Sequence, residues 1–127
     1  MPNTDLIKKL KPTFTPKKWG GEVVIINNIE KGYCGKILHF NKDTKFSLHF
    51  HFKDECWYIV SGKYLLKYFD TSNANSLELE LNVGDIIHVP PMQPHQIICI
   101  ESGDIFEVST PDYADDSYRI GKGDSQS

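Results

Sequence analysis

From Glu22 to Val108 the chain is a succession of short apolar or alternating runs, each the length of a strand. They are Val23 to Ile26, Tyr33 to Phe40, Phe46 to Phe52, Cys56 to Val60, Tyr64 to Phe69, Leu77 to Leu81, Ile86 to Val89, Gln96 to Ile100 and Ile105 to Val108. Between them stand Gly32, Asn41-Lys42-Asp43, Ser61-Gly62, Asp70 to Ser76, Asn82 to Asp85, Pro90-Pro91 and Ser102 to Asp104, residues that turn a chain back on itself. Leu77-Glu78-Leu79-Glu80-Leu81 alternates, which predicts a strand with one apolar and one charged face. Ile86-Ile87 and Ile97-Ile98 do not alternate, which predicts strands covered on both sides. No helical period survives across any run. The pattern therefore predicts an all-β domain over 21–120, a small barrel of two antiparallel sheets. Residues 1–20 carry Pro2, Pro12 and Pro16 among many lysines, so a short helical turn near Asp5 to Leu10 followed by an extended arm is expected there. Residues 121–127 are expected to be a disordered tail.

Composition narrows the partners. The sequence has 127 residues, one domain's worth, with 39% hydrophobic residues and a formal net charge of −3. No global positive field exists to gather a nucleic-acid backbone or an anionic membrane. The N-terminus lacks an apolar stretch of signal-peptide length, and no long apolar run suggests a membrane span, so a cytoplasmic protein is expected. Cys34, Cys56 and Cys99 are widely spaced with no CxxC pair, which suits free thiols in a reducing compartment.

The candidate chemistry lies in the third run. His49 and His51 are two apart, so on a strand their imidazoles project from one face roughly 6.6 Å apart at the backbone and can converge on one ion at about 2.1 Å each. Glu55 shares their parity. His95, which follows the rigid Pro90 to Pro94 turn, is the candidate fourth ligand, provided strand pairing brings it across. Three histidines and a carboxylate pointing into an apolar barrel are costly unless something compensates them.

The spacing His49-x-His51-x3-Glu55-x6-Gly62, followed by Gly84-x5-Pro90 and then His95, resembles the two-part signature of the cupin superfamily. The resemblance covers Glu22 to about Val108. It implies a double-stranded β-helix, or jelly-roll barrel, holding one divalent metal through His49, His51, Glu55 and His95, and a homodimer formed through edge strands, to which the N-terminal arm can add. Three positions depart from the family pattern. Asp43 stands where the first motif usually opens with Gly, Met92 replaces a Gly of the second motif, and Cys99 replaces its Asn. Cys99 is four residues beyond His95, about 13 Å along a strand, too far to share its ion. Lys18-Trp19-Gly20-Gly21, Glu55-Cys56-Trp57 and the acidic-then-Arg tail at Asp115 to Arg119 are similar, more narrowly, to the type II mannose-6-phosphate isomerase domain.

Imidazole and carboxylate ligands suit Zn, Mn, Fe, Ni or Co and leave open positions for a small-molecule substrate. One reading is an aldose–ketose isomerase of sugar phosphates. Arg119, the one arginine of the sequence, would hold the phosphate with Lys17 or Lys18, Trp57 would wall the pocket, and Glu107, His39 or Tyr33 would move the proton. Two other readings use the same cavity: an Fe(II)-dependent dioxygenase of a small organic substrate, and a non-catalytic cupin that binds a small ligand. His88 is read as structural.

Overall fold

In a computed structural model, which describes residues 6–126, eleven strands follow in chain order. They are β1 (Thr13–Lys17), β2 (Gly20–Asn28), β3 (Tyr33–Phe40), β4 (Leu48–Phe50), β5 (Glu55–Ile59), β6 (Lys63–Phe69), β7 (Ser76–Leu81), β8 (Ile86–Val89), β9 (His95–Glu101), β10 (Gly103–Ser109) and β11 (Tyr118–Gly121). They form a six-stranded sheet ordered β1-β2-β3-β10-β5-β8 and a five-stranded sheet ordered β11-β4-β9-β6-β7, antiparallel throughout. This is the expected all-β jelly-roll barrel. Among the described residues no helix is long and apolar enough to cross a membrane.

The inward positions of neighbouring strands change character in the same direction. From one end of the barrel to the other, Phe40 and Leu38 give way to Lys36 on β3, Ile105 to Glu107 on β10, Ile59 and Trp57 to Glu55 on β5, and Cys99 and Ile97 to His95 on β9. One end of the barrel is therefore an apolar plug and the other a polar chamber. The plug is built on aromatic contacts: Trp19 stacks on Phe40 at 4.6 Å, and Phe46 and Tyr64 meet Phe40 at 5.9 and 5.5 Å. Burying these rings supplies the apolar area that holds the two sheets together.

Several expectations are corrected. Thr13–Lys17 of the arm does not reach out but folds back as the edge strand beside β2, with Pro16 tolerated there because an edge strand has donors to spare. Residues 6–10 take no regular structure, and Asp5 lies outside the described residues. Residues 121–126, expected to be a loose tail, are fastened: Gly121 ends β11, Asp124 N–H donates to Lys45 O at 3.0 Å, and Lys45 N–H returns a bond to the Asp124 carboxylate at 2.8 Å. Ile86 is 70% exposed, because β8 is the edge of its sheet and not a strand covered on both faces. Leu77 and Leu79 on β7, the other sheet's edge, stay 40% and 44% exposed although they share the inward parity of their partners Tyr68 and Leu66.

Asp43 and Met92, the two positions where the family pattern has glycine, take φ of 64° and 68°, so both side chains bear a left-handed backbone. Met92 N–H donates to His51 O at 2.7 Å, tying the proline-rich turn to the strand of the first motif. The plug end is closed by Gly103, where a Cβ would lie 2.2 Å from Ser61 O and 2.5 Å from Gly62 N. Gly103→Ala must displace backbone and is expected to lower stability by about 2–3 kcal/mol, read as a shift in the urea midpoint at unchanged slope.

Candidate metal centre

Strand register gathers the three histidines among the four candidate ligands. β4 pairs with β9 at His49 opposite His95, and His51 lies one residue beyond the end of β4 on the same parity. The ligand nitrogens of His49, His51 and His95 lie within 4.8 Å of one another. Glu55 arrives from the other sheet, its Oε2 3.9 Å from His51 Nε2. Three imidazoles from one sheet thus cluster inside the barrel, and one carboxylate from the other approaches His51.

The remaining ring nitrogens set the tautomers. Nδ1–H of His49 donates to Ser47 O at 2.7 Å, that of His51 to Asp116 O at 2.6 Å, and that of His95 to Gln93 O at 2.8 Å. A proton on each Nδ1 leaves the Nε2 lone pair as the acceptor aimed inward. Burial holds all three rings neutral, lowering His49 to about 2, with help from His95 and His51, His95 to about 4, and His51 below its usual value. His95 Nε2 and Glu55 Oε2 are buried with no hydrogen-bond partner among the described residues. Two orphaned electron-pair donors beside two more imidazoles fit a divalent cation, and the all N and O set suits Zn, Mn, Fe, Ni or Co.

Behind the ligands lies a band of buried charge. Lys53 Nζ is 3.1 Å from Glu107, 3.4 Å from Asp112 and 3.8 Å from Glu55 Oε2, and Lys36 Nζ is 2.8 Å from Asp112 and 3.6 Å from Glu22. Burial alone would pull both lysines down; the surrounding carboxylates outweigh it and hold them raised. Glu55 goes the other way. Burial, then the Glu107 charge, pushes its carboxyl up to about 8, against the opposing pull of Lys53 and of Trp57 Nε1–H, which donates to Oε1 at 2.7 Å. These groups border a cavity of about 250 Å³. Its far wall is the segment 112–117, pinned at both ends: Asp112 exchanges two bonds with Asn27, and the Asp116 carboxylate accepts from the backbone N–H groups of Phe52 and Lys53 at 2.8 and 3.1 Å.

The other candidates divide. Glu107 and Arg119 line the cavity. Arg119 is the cross-strand neighbour of His49 and forms no ion pair with Asp115 or Asp116. Trp57 is fully buried behind the ligands, holding Glu55 and lying edge-on to His95 at 5.5 Å; it does not wall the cavity. Lys18 is exposed outside the cavity lining, and Lys17 occupies that wall. His39 and Tyr33 are exposed at outward positions of β3, with His39 bonded to Asp104 at 2.7 Å, so neither reaches the chamber. Of the groups not singled out from sequence, Lys36 and Lys53 were visible in principle. Lys36 sits at an inward position of an alternating strand, and Lys53 continues the parity of His49, His51 and Glu55. Asp112 and Asp116 carry no such signal, since loop pairing alone brings them in.

The chain belongs to the cupin family: residues 36–109 match the cupin domain, a span that includes all four candidate ligands. No curated protein matches the sequence. Among solved structures it is similar to the oxalate decarboxylase of Bacillus subtilis at pH 4.6, with 17% identity and a TM-score of 0.74 over 86% of this chain and 30% of that one. It is also similar to the Lactobacillus farciminis oxalate decarboxylase formate complex, with 15% identity and a TM-score of 0.78 over 93% and 38%. A further Bacillus subtilis oxalate decarboxylase, whose Mn(II) centres were characterised, aligns at 16% identity and 0.76 over 94% and 35%. The chain spans about a third of the length of these proteins, and the likeness is one of fold.

Two outcomes test the centre. With Glu55 raised to about 8 and the rings already neutral, divalent metal binding at pH 7 displaces a proton from Glu55 and from none of the histidines. Affinity should rise with pH and level off above about 8, with proton release measured by titration calorimetry in two buffers of different ionisation enthalpy. Asp116→Ala frees the turn at Phe52-Lys53 and should weaken metal binding roughly 10- to 100-fold, read by competition with a chromogenic chelator.

Proposed function

We propose that the chain is a metal-dependent enzyme of a small anionic molecule, in the first instance an aldose–ketose isomerase of a sugar phosphate. The observation that carries this reading is Arg119. It sits on the cavity wall beside His49 with no ion pair among the described residues, while Lys36 and Lys53 are both committed to carboxylates. Its planar fork suits a phosphate or carboxylate, and Lys17 on the same wall adds a second positive charge. A divalent ion held by His49, His51, His95 and Glu55 would polarise a substrate carbonyl. Glu107, 3% exposed and held by Lys53 at 3.1 Å, then takes the proton from the carbon beside that carbonyl and returns it to the carbonyl carbon, while the hydroxyl proton of the first carbon passes to the former carbonyl oxygen. The narrower resemblance to mannose-6-phosphate isomerase supports this substrate through the sequence alone.

A second reading is favoured by the fold neighbours, one of which is a formate complex: the same cation would receive the carboxylate of a small acid. Protein loaded in turn with Mn, Fe, Zn and Ni distinguishes the two. Mannose 6-phosphate in D2O, followed by NMR, should give ketose with deuterium at the carbon that exchanges. Formation of formate from oxalate would instead establish the acid reading, and turnover of neither would defeat both. Arg119→Ala should raise KM for the phosphorylated sugar at least about tenfold, leaving kcat nearly unchanged; an unchanged KM removes the anion role.

A further inference from the structure

We infer that the outer side of the segment 112–117 carries a second binding site, one for a small organic cation of the quaternary ammonium kind. The segment has two faces. One closes the metal chamber; the other, with Phe52, Thr110, Pro111 and Tyr118, borders a separate cavity of about 350 Å³. That size falls among small-ligand sites, which run from roughly 300 to 1,000 Å³. Lys53, Tyr113 and Asp116 border both cavities.

Aromatic rings form the walls. Phe52 and Tyr118 stand at right angles, with 89° between their planes and 5.3 Å between centroids, and Tyr113 supplies a third ring. All three are open to solvent, at 56%, 41% and 48% exposure for Phe52, Tyr118 and Tyr113. Strand parity sets this outward position: Phe50 and Phe52 alternate with His49 and His51, and Tyr118 pairs with Phe50 across β4 and β11. Phe50 also stacks on Tyr118 at 5.0 Å with 14° between the rings, so the wall is braced before any ligand arrives.

Charge selects the occupant. Asp115 lines the pocket, is exposed and forms no hydrogen bond or ion pair among the described residues. Asp116 adds a second carboxylate, held by the backbone N–H groups of Phe52 and Lys53 at 2.8 and 3.1 Å. Lys53 is the one cationic residue on this wall, and its ammonium is already matched by Glu107 at 3.1 Å and Asp112 at 3.4 Å. The pocket therefore repels an anion and draws in a cation. Ring faces are themselves negative, so they attract a cation whose charge lies under methyl groups, and such a cation gives up water more readily than a bare ammonium does. A neutral apolar guest would meet the rings but gain nothing from Asp115. Arg119 and Lys17 border the metal chamber and not this pocket, so the two sides of one wall sort small molecules by sign of charge.

Proton NMR titration of the full chain with choline tests this, with neohexyl alcohol, its uncharged carbon isostere, as the control. The choline N-methyl line should move upfield as the rings shield it and saturate with a Kd of roughly 1–10 mM, and the alcohol should bind at least about tenfold more weakly. Phe52→Leu and Tyr113→Leu keep apolar bulk but each remove a ring at an exposed position; each should weaken choline about three- to tenfold. Asp115→Asn should weaken it about threefold and flatten its salt dependence. Inorganic phosphate at constant ionic strength should not displace it. Far-UV circular dichroism monitors folding, and if one ring variant fails to fold the decision rests on the other. No shift up to about 100 mM choline overturns the inference, as does equal binding of the alcohol, displacement by phosphate, or an affinity unchanged in the folded ring variants.

Discussion

Two polar atoms taken out of water and left without a hydrogen-bond partner among the described residues, His95 Nε2 and Glu55 Oε2, are the constraint around which this barrel is arranged. Each costs about 1–3 kcal/mol while unsatisfied, and each is held in place by a bond at its far side: His95 by Gln93 O, Glu55 by the indole of Trp57. Their positions are therefore imposed by the scaffold before any cation arrives. Preorganised donors lose little freedom on binding, which is how a small barrel can hold an ion firmly.

The same economy governs the buried lysines. An isolated ammonium at the depth of Lys53 would lose its proton. The carboxylate of Glu107, 3.1 Å away, helps keep it charged, and Asp112 extends the arrangement to Lys36. The chamber thus retains its ionised lysines while the apolar plug, from Trp19 to Tyr64, carries the packing that keeps the sheets together. Separation of these tasks along the strands lets one small core do both.

Much of this was legible in the sequence because strands have a period of two. Tyr33–Phe40 has the predicted bounds, and the shared parity of His49, His51 and Glu55 survives into the structure even though the strand breaks at Phe50. His95 required knowledge of which strands pair, and that follows only from the complete topology. Where the reading failed, an edge or a loop was involved. Pattern cannot distinguish Ile86-Ile87 on a four-residue edge strand from a pair in the middle of a sheet, and it cannot show that Tyr118–Gly121 finds a partner in β4. His39 and Tyr33 lie outside the chamber because the inward face of β3 is occupied by Lys36, Leu38 and Phe40.

The carbonyl of Asp116 orients the ring of His51, and its carboxylate grips the next turn of chain. Because this residue belongs to the wall of the chamber, a guest that forces the wall outward also slackens one ligand of the ion. A guest that fits beneath it braces that ligand instead. Retention of the metal and tolerance for bulky visitors are consequently set by one hinge of backbone, so that enlarging the doorway by mutation carries the penalty of a leakier centre.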